Sequence, residues 1–292
     1  MSGDVGQKML LGVLLVALAA ISISFSNILA PVVTDGGVSV QTLIVIRFSF
    51  FAIACGIWLT LRRVPLMLGR ASFLHAIGAG AAYTIGSGSL VAAFVEIPVS
   101  LAVLIFYSFP LLTLLGECFF DRRWPAVREI GFLLAALLGL GLCLGIGIDQ
   151  LNGAGLAFAV LAALGVAGSY LWSGRKLRAV PSTVMTFYMA LTGWVMVAAL
   201  ATATASWTLP SLEVLPLVLL AAAVLTFAAA FFGMFAGVSL IGPSRGAMIM
   251  NLEPVFTVGL AVWLLAESLT AHQVAGAALV VAAVFAAQWR RS

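Results

Sequence analysis

Apolar residues run through this chain in long blocks. Stretches of Leu, Val, Ala, Ile and Phe are interrupted by short clusters of Gly, Pro and charge, and ten blocks of roughly 20 residues can be marked off. They cover 9–31, 40–61, 73–94, 98–120, 128–148, 153–174, 182–205, 214–238, 246–266 and 271–289. Continuous runs of this length predict helices that satisfy their own backbone in lipid, whereas a β-barrel would need short alternating segments. The first run is too long for the apolar part of a secretion signal and has no strong basic segment before it, so it is read as retained.

Composition agrees with the pattern. Of 292 residues, 63% are hydrophobic and 8% charged, with a mean hydropathy of +1.21. Soluble domains are about 45–50% apolar and about 25% charged. These values exclude a water-soluble globular protein, a nucleic-acid binder and a disordered chain. Cys55, Cys118 and Cys143 lie inside apolar runs without paired spacing, and read as small core hydrophobes.

The sequence pI of about 9.3 is explained by where the basic residues sit. With the N-terminus placed in the cytoplasm, every Lys and Arg except Arg47 falls on a cytoplasmic connection or terminus. The outer connections hold Asp35, Glu96, Asp149, Glu213 and Glu267 and no basic residue. One span too many or too few would break this alternation. Trp58, Trp124, Trp172, Trp207, Trp263 and Trp289 fall near predicted span ends, as interface anchors do, and Trp194 alone sits mid-span.

Sliding the chain by about 144 residues brings features into coincidence. Gly12–Asn27 lies over Gly155–Tyr170, and Leu101–Thr113 over Arg245–Thr257, with Pro110 on Pro254 and Gly131 on Gly276 after a one-residue slip. Each half then holds five helices, 1–148 and 149–292. Because five is odd, the second half must enter the membrane from the opposite side. The expected fold is an all-α polytopic membrane protein of ten transmembrane helices in two inverted five-helix repeats, an architecture of secondary transporters with a site near the midplane.

The stretch from Asn251 to Phe285, NLEPVFTVGLAVWLLAESLTAHQVAGAALVVAAVF, resembles the end of an EamA-type domain of the drug/metabolite transporter superfamily. The likeness rests on Pro254, Glu267 and Gly276, and is shared in the first half by Pro110 and Gly131. It departs where Asp121-Arg122-Arg123 stands in place of the Glu; that turn is assigned to the cytoplasm, where positive charge is favoured. Arg47 likewise matches an Arg common in the family. The resemblance covers nearly the whole chain, in two copies. It implies a carrier of small metabolites in the cell inner (plasma) membrane, nearest to the amino-acid and aromatic amino-acid exporters. Nucleosides, sugars or drug-like compounds remain alternative cargoes.

Polar groups inside spans must find a partner or face water. Tyr83 and Tyr107 lie near the middle of their runs, and Tyr83 shares a helix face with Ser87, with Gly86 and Gly88 leaving room beside them. Ser100, Tyr107 and Thr113 or Leu114 fall near one stripe with Pro110, and Ser244, Met248, Asn251 and Val255 form a stripe in the equivalent place of the other half. The predicted substrate contacts are therefore Tyr83, Ser87, Tyr107, Ser108, Trp194 and Asn251, although small and polar residues also join membrane helices to one another. Pro110 and Pro254 are predicted hinges, with a static bend as the other reading. The lining is aromatic and uncharged, which suits neutral amino acids better than phosphates.

Two charges need separate treatment. On these run boundaries Arg47 lies about 10 Å below the outer surface and Glu253 a similar distance above the inner one. Arg47 is expected to snorkel or to bond carbonyls, and their different depths argue against a pair. Glu253 is the one ionisable candidate on the path but reads as off-centre, so the sequence predicts downhill transport or weak proton coupling. Glu117 is expected to pair with Arg122 or face water. The GxxxG pair Gly141 and Gly145 predicts close helix packing, within the chain or against another subunit.

Enzyme chemistry finds no support. There is no G-x-x-x-x-G-K-[ST] run for ATP, and Gly86-Ser87-Gly88-Ser89 is not a nucleophile elbow. His75 and His272 sit at span ends on opposite sides and form no metal set, so no cofactor or metal is expected. A passive channel would need a ring of charged or carbonyl groups. The expected partners are a small-molecule substrate and the lipid bilayer, with the chain a monomer or homodimer.

Overall fold

The structure is a computed structural model that describes residues 2–97, 99–144, 152–208, 213–265 and 270–289. Expectations resting on Pro98, Gly145, Gly147, Asp149, Glu267, Arg290 and Arg291, and on the side chains of Ser100, Cys143 and Trp289, lie outside the described residues. Among the described residues the fold is all helix: α1 (Ser2–Asp35), α2 (Val40–Leu61), α3 (Arg70–Glu96), α4 (Val99–Phe106), α5 (Phe109–Phe120), α6 (Val127–Leu144), α7 (Gly153–Lys176), α8 (Ser182–Ala203), α9 (Val214–Ile241), α10 (Pro243–Met250), α11 (Glu253–Leu265) and α12 (Ala271–Trp289). Seven stretches among them are long and apolar enough to cross a membrane: α1, α2, α3, α7, α8, α9, and α4 together with α5. Rows such as Leu10, Leu14 and Leu18 on α1 stay exposed, as a lipid-facing surface requires.

Local chemistry sets the ends. Ser39 caps α2 by accepting from the Thr42 amide, and Asn152 caps α7 by accepting from Ala154. At the other end of α2, the Val64 amide reaches back to the Leu59 carbonyl around Arg63 at φ 53°. Arg123 does the same to Cys118 around Arg122 at φ 51°, so the first half repeats one closing motif at two arginine turns.

The fourth and ninth apolar runs are not single helices. Each is broken near its middle, at Tyr107–Ser108 between α4 and α5, and at Asn251–Leu252 between α10 and α11. The cause is the proline that follows. Pro110 has no N–H for the Phe106 carbonyl, and Pro254 has none for Met250, so the regular ladder stops there. Shorter bonds close each first half: Ser108 N to Ile105 O at 3.0 Å, and Leu252 N to Ile249 O at 3.0 Å. The breaks fall at matching positions, since the alignment of Pro110 with Pro254 also puts Tyr107 on Asn251.

Packing follows glycine. A Cβ on Gly165 would lie 2.7 Å from the Ala82 carbonyl oxygen, and one on Gly86 2.9 Å from that of Ala162, so α3 and α7 meet backbone to backbone. Gly86 thus serves the α3–α7 contact, whereas a Cβ on Gly88 would meet nothing within 4 Å. The same kind of approach joins α1 to α9, where a Cβ on Gly237 would lie 2.8 Å from the Gly12 carbonyl oxygen. Gly139 brings α6 against Gly276 and Val280 of α12, a close contact within the chain. With α2 against α8, the packing pattern is largely kept when the two halves are exchanged: α1 on α9 becomes α7 on α3, and α1 on α11 becomes α7 on α5.

Candidate functional site

Aromatic residues spaced four apart on α9 build the centre. Phe227, Phe231 and Phe235 lie on one face. Phe231 packs edge-on against Phe51 of α2 at 5.2 Å and Tyr83 of α3 at 5.3 Å, between ring centroids. Phe235 reaches Tyr83 at 5.9 Å and Tyr170 of α7 at 6.0 Å. From Tyr170 the rings continue to Phe109 at 5.5 Å and then to Tyr107 at the first helix break, at 6.1 Å. One path of rings therefore crosses the molecule from α2 to the α4–α5 break. The α9 row escaped the sequence reading, although its spacing was visible there.

Polar groups gather at one side of this path. Glu253 starts α11 directly after the second break; its carboxylate accepts from Asn27 Nδ2 on α1 at 2.8 Å and has the Tyr107 hydroxyl within hydrogen-bonding reach. Ser24, one turn earlier on α1, donates to the Glu253 backbone carbonyl at 2.9 Å. Arg47 on α2 sends Nη2 to the Ser26 carbonyl at 3.0 Å and lies over the Phe227 ring at 5.3 Å. It bonds a carbonyl, as expected for a buried arginine. Tyr83 sits within electrostatic reach of both Glu253 and Arg47.

This corrects the depth assigned to Glu253. The apolar run gives the ninth span a start at 246, but α10 begins at Pro243, after Gly242 turns the chain at φ +89°. The shift of three residues, about 4.5 Å of rise, moves Glu253 to the middle of the run. Arg47 and Glu253 then meet consecutive residues of α1, Ser26 and Asn27, instead of lying at separate levels. Glu117 is also reassigned: it accepts from the Ser244 hydroxyl, joining α5 to α10.

The sequence-predicted contacts divide. Tyr107 is buried and holds Glu253; Tyr83 is partly buried in the ring path and bonded to Ser87. Asn251 is 3% exposed, and its Oδ1 has no hydrogen-bond partner in the structure. Ser108 stands in the first break, its carbonyl accepting from Leu111 and Leu112. Trp194 is not brought in: it is 39% exposed on α8 and joins none of the ring contacts described above. Pro110 and Pro254 are each the second residue of the second half of a broken helix. Ser24 and Asn27 were missed, because small polar residues in an apolar helix give no directional signal without their partners, and Tyr170 because it lies near the end of its run, where an interface tyrosine is ordinary.

Outside the spans, Asp121 after α5 accepts from Arg175 Nη2 of α7 at 2.7 Å, and this bond holds its carboxyl below the usual carboxylate range. At the opposite end of α7, Asn152 Nδ2 donates to Glu96, the last residue of α3, at 2.5 Å. These two contacts mark opposite ends of the bundle.

No curated protein matches the chain by sequence. A solved structure titled only as the crystal structure of a protein superposes with a TM-score of 0.76 over 98% of both chains at 19% identity, a likeness of fold. The EamA-like transporter family matches twice, over residues 10–145 and 153–287, and the two matches hold one broken helix each. With apolar helices fit to cross a bilayer and both matches contributing to one central cluster, this chain is an integral membrane protein and belongs to the EamA-like transporter family.

Proposed function

We propose that the chain is a secondary carrier of ten membrane spans, in which residues 1–148 and 149–292 are inverted five-helix repeats that alternate access to a solute bound between them. The observation that carries this reading is the pair of helix breaks, at Tyr107–Ser108 and Asn251–Leu252. A broken helix exposes backbone carbonyls and half-helix ends at mid-depth, which are costly in lipid and useful only beside a polar solute or another polar group. Tyr83, Ser87, Tyr107, Ser108 and Asn251 would contact the cargo, and Pro110 and Pro254 would act as the hinges.

Neutral or aromatic amino acids are the cargo that fits best. Phe231, Phe235 and Tyr170 offer an apolar wall, while Asn251 Oδ1 is an unused acceptor. The basic turns support an inner-membrane location with both termini in the cytoplasm and export as the working direction. The test is a panel of labelled phenylalanine, methionine, nucleosides and sugars in proteoliposomes. Saturable uptake of an amino acid, with exchange against the same compound on the far side, is the expected result. Flux that neither saturates nor exchanges would overturn the carrier and leave a channel.

A further inference from the structure

We infer that Glu253 binds and releases a proton as part of the working cycle, so that its carboxylate links transport to the proton gradient. The coupling rests on the carrier reading above; the protonation itself does not.

Position comes first. Counting along α10 and α11, Glu253 is ten residues from Pro243 and twelve from Leu265, about 15 and 18 Å from the two ends. A carboxylate at that depth must be paired, solvated or neutralised by a proton. Its side-chain partners, Asn27 and Tyr107, are both neutral donors, which can serve the charged and the protonated forms alike. Arg47 is the cation nearest along α1, and its Nη2 is committed to the Ser26 carbonyl.

Access comes second. Glu253 is partly exposed and Asn27 beside it is exposed. A hydrogen-bonded Asn–Glu pair open to hydrocarbon would lack the water it needs, so this face opens to an aqueous path. The carboxylate also spans parts that a carrier would move: α1 and the α4–α5 break on one side, α11 of the second repeat on the other. Separating these parts removes donors and favours uptake of a proton; bringing them together restores the bonds to the charged form.

Among the described residues the surroundings supply no competing acid. Tyr83 of α3, Tyr107 at the first break, Tyr170 of α7 and Arg47 of α2 are the titratable or charged groups that act at this centre. On the other neighbours, Arg245 of α10 is turned to Met9, Glu117 of α5 is bonded to Ser244, and Arg128, Glu129 and His272 lie in the first turns of α6 and α12.

Infrared difference spectroscopy across a pH titration tests this on the full chain in lipid vesicles without any substrate. Wild type should show the carbonyl stretch of a protonated carboxylic acid that disappears at higher pH, and Glu253→Gln should lose that band. Tyr107→Phe, which keeps the carboxyl and the ring, should retain the band at higher frequency, because a hydrogen bond to the carbonyl is gone. If Glu253→Gln does not fold, the Tyr107→Phe shift alone decides. The same difference spectrum in wild type and both variants would overturn the proposal. Where the band is present, an imposed pH gradient should drive accumulation of labelled phenylalanine at least severalfold in wild-type vesicles; equal levels with and without the gradient would overturn the coupling. Absence of any phenylalanine uptake would instead count against the carrier reading and leave the band standing.

Discussion

Asn27 Nδ2 lies 2.8 Å from Glu253 Oε1, so one hydrogen bond ties the first helix of one repeat to the broken helix of the other. Replacing Asn27 with Leu removes a donor to an acidic group. The expected loss of stability is about 1 kcal/mol, since water at this exposed edge can take the donor's place. Asn27→Asp should cost more at about pH 8 than at about pH 5, because two carboxylates held this close favour sharing a proton. Thermal unfolding in detergent at the two pH values reads both effects; an equal loss at both would show that the carboxylates are not in contact.

Tyr107 joins the helix break to the carboxylate, and Tyr83 joins the ring path to Ser87. Tyr107→Phe keeps the ring against Phe106 and Phe109 and removes only the hydroxyl. Amino-acid exchange in proteoliposomes should fall roughly tenfold, the size of a lost hydrogen bond to a charged group, with the amount of folded protein unchanged. Tyr83→Ala should lower exchange and stability together, since it also empties the space beside Phe231 and Phe235. Undiminished exchange in both variants would remove the two tyrosines from the path.

Much of this was readable from the sequence, for a definite reason. The bounds of α2 match the expected 40–61, and α7 and α8 start at the expected 153 and 182, because Ser39, Asn152 and Pro181 mark sharp changes from polar turn to apolar run. Tyr107 stands out in the sequence as a tyrosine at mid-span, and Asn251 lies in the equivalent stretch of the other half. The missing part was the break itself: a proline in an apolar run signals lost hydrogen bonds, but kink and interruption look alike in one dimension. The misplaced Glu253 follows from the ninth run, whose start was set three residues late. Ser24 and Asn27 became meaningful only when α1 was seen against α11.

Backbone contact between α3 and α7 predicts a steep response at one glycine and none at its neighbour. A Cβ at Gly165 would meet Ala82 O and Gly86 Cα at 2.7 Å, whereas one at Gly88 meets nothing within 4 Å. Gly165→Val should destabilise the protein by about 1–3 kcal/mol, as overpacking at a close contact does. Gly88→Ala should be neutral or slightly stabilising, since alanine suits a helix better than glycine. A comparison of melting temperatures in the same detergent measures the contrast, and equal values would place the helices further apart.

The Asp121–Arg175 pair predicts an acid limb that depends on salt. The folded carboxyl is held below its ordinary value, so its stabilising contribution is present above the unfolded value of about 3.9 and is lost as pH falls through the folded one. Asp121→Asn should lower the melting temperature slightly at neutral pH and flatten its fall on acidification. Because both groups are partly exposed, high salt should shrink the difference between variant and wild type. An identical acid profile in both proteins would mean that the pair contributes nothing.

Sidedness makes the sharpest demand on the proposed topology. If basic turns face the cytoplasm, single cysteines at Arg63 and Lys176 should resist a membrane-impermeant maleimide in intact cells and react after permeabilisation. Cysteines at Gly36 and Glu213 should react without permeabilisation, as both positions are exposed on turns assigned to the outside. Cys55, Cys118 and Cys143 are first replaced by alanine, which removes the native thiols from the readout. The structure adds an internal check. Asp121 and Arg175 bond to each other, so cysteines at Arg122 and Lys176 must share one side whichever side that is. Labelling at Arg63 and Lys176 from outside would turn the whole protein over; labelling at only one of them would break the odd-numbered repeat on which the inversion depends.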